Sequence, residues 1–336
     1  MIRRSILILW HLTLLTLLSL AMLYHNTSIY LFYQARGQAH ILLNTEPADE
    51  YPTTHKLTEQ QQQNLALVEK IRSYAQDSLG FVPTKSYRRV YDQGQEPILW
   101  AITASSDTML KAYYWHFPLL GTVSYKGFFE KEKALHELNH LSAQGYDVEL
   151  RPVSAWSTLG WFHDPVLSDM LKMPKGTLCN LLFHELFHST YYAPGSVEEN
   201  ENLATFIGEK ATLQFLKNDT TSLNQYLARK HDSRLFHDYL VSGSKKLEAF
   251  YAKHPVSRVQ KLKVLLQLAN GIDSLPLRNK RRYEHEKHDI MLYKNAYFIG
   301  FNQYHKEQDS LETAFNKIYK GNLRNMVLYL KQKSGK

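Results

Sequence analysis

A single cysteine, Cys179, stands in the whole chain. That excludes an intramolecular disulfide, so stability must come from a buried core, which a chain of this length can build. Cys179 lies in an apolar run and reads as a small buried hydrophobe rather than a nucleophile. No internal repeat and no long low-complexity stretch occurs. An excess of charge of one sign is also missing: the net +8 is modest for 336 residues. The densest basic patch is Arg278 with Lys280, Arg281 and Arg282. It reads as a solvated loop, with anionic lipid headgroups as its sharper alternative, and no nucleic-acid partner is expected.

The fourth absence is local. Residues 5–24 hold no Asp, Glu, Lys or Arg. As a helix such a run spans about 30 Å, the thickness of a bilayer core. Arg3 and Arg4 precede it and favour a cytoplasmic amino end. The expected organisation is a cytoplasmic tip at 1–4, a single-pass membrane anchor at 5–24, and a domain at 25–336 facing the periplasm or exterior. A cleaved signal peptide is the competing reading, because Ser19, Leu20 and Ala21 make a passable small-x-small site.

Against these absences stands one pattern rich in chemistry, and it occurs twice. His136-Glu137-Leu138-Asn139-His140 and His184-Glu185-Leu186-Phe187-His188 both read HExxH. On a helix, residues i and i+4 share a face, so two imidazoles can bind one ion. The glutamate between them, about 100° round from the first histidine, can reach a water on that ion. The neighbours separate the two copies. Glu130, Lys131, Glu132 and Lys133 precede the first, which reads as an amphipathic surface helix ended by Gly145. The second is surrounded by Leu178, Leu181, Leu182, Phe183, Leu186 and Phe187. A helix apolar on so many sides is buried, and two imidazoles and a carboxylate enter it only with partners, which a metal supplies. Zinc is therefore expected at His184 and His188, with Glu185 as general base. Two core histidines bonded to backbone are the bland alternative, and they leave Glu185 unexplained.

A third ligand should follow soon after. Pro194-Gly195 marks a turn. Ser196 then reads as an N-cap with Glu199 as its capping-box partner, and a new helix runs on through Leu203 and Ile207. Glu198, Glu199 and Glu201 compete for the metal. Spacing alone leaves Glu198 and Glu201 open, since a carboxylate near a helix start also simply stabilises its dipole.

Three stretches resemble a known group. They are Thr158 to Leu171 (TLGWFHDPVLSDML), Phe183 to His188 (FHELFH) and Asn200 to Phe206 (NENLATF), with weaker echoes at Tyr33 to Gln38, Tyr125 to Phe129 and Gly145 to Val148. In order and spacing over roughly 28–220 they resemble the zinc aminopeptidases inferred for bacterial cell envelopes, relatives by motif of the gluzincin metallopeptidases. The resemblance implies that His184, His188 and Glu201 are zinc ligands and Glu185 the base. It also implies that the first HExxH is a local accident. Many members carry an acylated cysteine after the signal; this chain has no cysteine before Cys179.

Helices are predicted near 30–43, 57–78, 129–143, 165–172, 176–191, 197–217, 220–241, 245–253, 255–269, 290–306 and 309–333. Extended segments are predicted near 86–104, 112–126 and 147–155. The expected fold class is α+β and zincin-like, a small sheet followed by a mostly helical half. An edge strand, either 147–155 or 118–125, would hold an extended peptide over the active helix. The expected reaction is peptide hydrolysis, with a donor to the oxyanion among Tyr125, Tyr191, Tyr192 and His163. Asp164 either orients a ligating histidine or, the preferred reading, caps a helix begun by Pro165. Two rival classes remain: a non-catalytic zincin scaffold that binds peptides or a partner protein, and a zinc hydrolase acting on a non-peptide amide.

Overall fold

The Thr58 hydroxyl accepts from the Gln61 N–H at 3.3 Å, and the Gln61 side chain accepts from the Thr58 N–H at 2.9 Å. This capping box starts one of the helices around which the main core is built. The computed structural model describes residues 10, 11, 19, 24–117, 121–153, 163–252, 257–299 and 308–335. In chain order the elements are α1 (His25–Leu43), β1 (Thr45–Pro47), α2 (Tyr51–Thr54), α3 (Glu59–Ser73), β2 (Arg89–Tyr91), β3 (Leu99–Ser106), β4 (Trp115–Phe117), β5 (Gly121–Val123), β6 (Tyr125–Phe128), α4 (Lys131–Ala143), β7 (Tyr146–Val153) and β8 (Val166–Leu167). The helical half follows with α5 (Lys175–His188), α6 (Val197–Phe215), α7 (Thr220–Tyr251), α8 (Arg258–Gly271), α9 (Glu284–Tyr293), α10 (Asn295–Ile299), α11 (Gln308–Lys317) and α12 (Leu323–Lys333). The chain is thus α+β, mostly helical with small sheets.

Strand order is β1-β2-β8 in one sheet, β6-β3-β7 in a second, and β4-β5 in a third. The second sheet is wholly antiparallel, with Trp100 opposite Phe128 on one side and Pro152 on the other. Its alternation divides two faces. Ile102, Ala104, Phe128 and Val148 pack with Ala134 and Leu141 of α4. Ser105, Asp147 and Glu149 point to the opposite face and are buried as well. There α10 covers them: Asn295 donates from its N–H to Asp147 Oδ2 at 3.1 Å and from its side chain to Ser106 O at 2.9 Å. Lys261 of α8 also reaches Asp147, at 2.5 Å. A face that carries charge is therefore closed by hydrogen bonds and ion pairs rather than by apolar contact.

The main core joins α3, α5, α6 and α12 through residues such as Ile71, Leu182, Phe183, Phe187, Ile207 and Val327. A separate cluster lies among α7, α8, α9 and α10. Several expectations change. Residues 165–172 do not begin as a helix. Val166 and Leu167 form a strand parallel to β2, followed by a 3₁₀ turn over Ser168–Lys172. The helices expected at 220–241 and 245–253 are one helix, α7. The stretch 309–333 is broken at 318–322, where Lys320 and Gly321 take positive φ. Among the described residues no helix is long and apolar enough to cross a membrane. The expected anchor, 5–24, lies almost wholly outside the described residues, as do 118–120 and most of the Thr158 to Leu171 motif's first half.

Candidate metal centre

α5 is buried on most sides by Leu178, Cys179, Leu182, Phe183, Leu186 and Phe187, and burial pushes the Cys179 thiol up to about 12. The remaining face presents His184 and His188. α6 folds back across it because Gly208 permits close approach. A Cβ at that position would lie 3.1 Å from Asn180 O and His184 N, and 3.2 Å from His184 Cβ. Helix contact at this distance brings Glu201, two turns earlier on α6, onto the two imidazoles.

The result is a triangle of three donor groups, two imidazoles and one carboxylate. His184 Nε2 and His188 Nε2 are 3.2 Å apart. Glu201 Oε2 is 3.2 Å from His184 Nε2, and Oε1 is 3.5 Å from His188 Nε2. Three ligands each about 2.0–2.1 Å from a tetrahedral centre lie about 3.3 Å from one another. Two imidazole nitrogens and one carboxylate at these separations fit zinc in both donor type and spacing. His188 is almost fully buried. Burial, and then the neighbouring His184, hold its pKa down to about 4, which keeps the ring neutral as a ligand must be. Burial also presses on His184, but its hydrogen bond to Glu201 and the charges of Glu185 and Glu201 prevail and raise it. Glu201 is lowered: burial works against ionisation, and the hydrogen bond to His184 and both imidazoles outweigh it.

Glu185 is half-buried beside this triangle, and its charge is felt by His184 and by the Tyr87 phenol. Tyr87 has no counterpart among the residues singled out by sequence. It is buried, sits at φ +62°, and its hydroxyl has no hydrogen-bond partner among the described residues. Burial, then the charges of Glu185 and Asp164, raise it well above the usual phenol range. Thr205 was missed too. Its hydroxyl lies 3.5 Å from His184 Nδ1. Its signal in sequence is its place four residues after Glu201, on the same helix face.

The remaining candidates separate. Tyr125 opens β6 with an exposed ring. Its phenol is raised by burial around the hydroxyl and then by the Glu201 charge. Tyr191 is buried and donates to Glu199 at 2.5 Å, while Lys333 also approaches Glu199 at 3.6 Å. The expected capping box is therefore absent: Ser196 makes no side-chain cap, and Glu199 serves Tyr191. The turn is held instead by Asn200, which accepts from Ala193 N at 2.7 Å and donates to Ala193 O at 2.9 Å. Tyr192 is half-buried and His163 exposed; neither joins the ligand triangle. Asp164 caps no helix, because none starts there. It is buried, with its N–H given to Ser86 Oγ at 3.2 Å and its carbonyl accepting from Tyr87 N at 2.6 Å.

The first HExxH lies on α4 with His136 and His140 exposed. Its Glu137 accepts from Trp115 Nε1 at 2.7 Å and pairs with Lys126 at 3.1 Å, so it ties α4 to β4 and β6. A second convergent group, His285, Glu286 and Asp289, lies on α9. There Glu286 already accepts from Tyr297, and the His285 side chain is exposed.

In this α+β chain, two histidines one turn apart on a buried helix and a carboxylate from the next helix form a donor set that could hold one metal ion. Comparison with known families gives the family. The chain matches the family described as "Putative aminopeptidase" over residues 29–334, and it belongs to that family. No curated protein and no solved structure matches it.

Proposed function

We propose that this protein is a zinc-dependent, aminopeptidase-like peptidase of the bacterial cell envelope, held at the cytoplasmic membrane by residues 5–24 with its catalytic domain outside. Family membership supports peptidase-type activity. The observation that carries the metal is the 3.2, 3.2 and 3.5 Å triangle of His184, His188 and Glu201.

His184, His188 and Glu201 would hold the ion. When bound, zinc supplies a Lewis acid for a water and for the substrate carbonyl. Glu185 takes the proton of the attacking water and delivers it to the leaving amine. The Tyr125 phenol, raised by burial and then by the Glu201 charge and so protonated at neutral pH, is our choice among the candidate donors to the developing oxyanion. Thr205 fixes the ring of His184 through Nδ1.

Metal analysis of the purified protein tests this reading. About one zinc per chain is expected. His184→Ala or His188→Ala should abolish it, whereas His136→Ala with His140→Ala should leave it intact. Equal loss from both pairs would overturn the assignment.

A further inference from the structure

The β6-β3-β7 sheet has two edges, and the fold treats them differently. On β6 the outward carbonyl of Gly127 accepts from Tyr30 OH and Gln34 Nε2 of α1, both at 3.0 Å. The outer edge of β7 instead faces a groove of about 900 Å³, walled by α4 on one side and by α8 and α9 on the other. No residue of the His184–His188–Glu201 triangle lines it, and it lies across the sheet from Tyr125.

The direction of the β7 backbone groups follows from its neighbour. Ala104 O accepts from Tyr113 N at 2.8 Å and Ser106 N donates to Lys111 O at 3.0 Å, both on the side of β3 away from β7. Backbone groups alternate along an antiparallel pair. Ala104 opposite Val148, and Ser106 opposite Tyr146, are therefore the pairs without mutual bonds. The N–H and C=O of Tyr146, Val148 and Leu150 point out of the sheet into the groove. Leu150 O accepts from Tyr293 OH at 3.2 Å. The N–H of Leu150 and both groups of Val148 have no partner among the described residues. Val148 is only 9% exposed. Unpaired backbone groups in so sheltered a place favour a partner that brings its own.

The groove also has a charge. Lys131, Lys261, Lys294 and Arg258 line it against two carboxylates, Asp107 and Asp147. Asp147 holds Lys261 at 2.5 Å and Lys294 at 3.8 Å. Lys131, on the α4 wall, and Arg258, on the α8 wall, are exposed and form no ion pair among the described residues. Leu292, at 51% exposure, and Leu138 give the walls an apolar component. We propose that this groove docks an extended, acidic segment of another protein as an added strand along β7, main chain on Val148 and Leu150, carboxylates on Lys131 and Arg258.

The test uses the full-length chain treated with chelator, so that a bound peptide is not turned over. The probe is an end-blocked, fluorescently labelled peptide of alternating Glu and Val, equal in length to β7. It should bind, weaken with added salt, and slow amide hydrogen exchange at Val148 and Leu150. Lys131→Glu combined with Arg258→Glu should weaken it about tenfold or more, since two rim charges are reversed. An alternating Lys and Val peptide should not bind. Both mutated side chains are exposed, and an unchanged melting temperature verifies the fold of the double variant. No binding at millimolar peptide, equal binding to the double variant, or protection confined to α5 and α6 would overturn the proposal.

Discussion

Thr205 follows Glu201 by one turn on α6, and its hydroxyl lies 3.5 Å from Nδ1 of the same His184 whose Nε2 lies 3.2 Å from Glu201. One helix face thus addresses both nitrogens of one ring. The carboxylate lies against one nitrogen and the hydroxyl against the other, so the two side chains together limit rotation of the ring.

Thr205→Val should therefore weaken zinc retention without removing a ligand. Loss of such an outer partner costs 10–100-fold in metal affinity. A contact of 3.5 Å is long for a hydrogen bond, so about tenfold is expected, read by competition with a chelator. Unchanged affinity would remove Thr205 from the site.

Gly208→Ala tests the close approach of α5 and α6. Alanine gains about 1 kcal/mol in helix propensity. Its Cβ meets main-chain atoms of Asn180 and His184 at 3.1 Å, and backbone cannot swing aside. Overpacking costs about 1–3 kcal/mol. We expect a net loss of about 1 kcal/mol in chemical denaturation, together with weaker zinc retention as Glu201 is pushed away. A stabilised variant with unaltered zinc affinity would show that the helices can shift freely.

Glu149 gives a pH prediction remote from the metal. Burial pushes its carboxyl up to about 7, against the pull of the Arg151 ion pair and the Thr103 hydroxyl. A carboxyl raised on folding favours the folded state while protonated. That contribution is complete below about 4.5, its unfolded value, and is lost as pH rises through about 7. Relative to the parent protein, Glu149→Gln should gain stability across that window, by about 3 kcal/mol at most. A difference that is flat from pH 4.5 to 7 would contradict the shift.

Two tyrosines with similar standing in the sequence should fail differently. Tyr191→Phe breaks the bond to Glu199. It should cost about 1 kcal/mol of stability and leave kcat unchanged. Tyr125→Phe alters an exposed ring and should leave stability unchanged. It should lower kcat by about 100-fold if the phenol serves the oxyanion. Steady-state kinetics and denaturation on both variants check this; the reverse pattern would exchange their roles.

The pairing of His184 and His188 on one buried helix was legible because its signal is local. His184 and His188 are one turn apart in a run whose apolar neighbours mark burial, and the α5 boundaries follow from that run. What depended on distant contact was not legible. Asp164-Pro165 reads as a helix start, yet Ser86 and Tyr87 bind the Asp164 backbone and Val166 pairs with Val90. Ser196 and Glu199 spell a capping box, yet Glu199 is taken by Tyr191 from the preceding turn. Gly208 sits inside a helix, where glycine is unfavourable, and only the position of α5 explains it. Tyr87 is one of 22 tyrosines, and nothing local marks it as the one held at positive φ beside Glu185.

The central claim is that Glu185 acts as base on a water at an ion held by His184, His188 and Glu201. Glu185→Gln separates base from ligands most directly, because the amide keeps the size of the side chain but cannot take a proton at neutral pH. The variant should still hold about one zinc per chain while kcat on a cleaved peptide falls at least about 100-fold, the lower bound of general-base catalysis. Zinc retained with kcat unchanged would contradict the account.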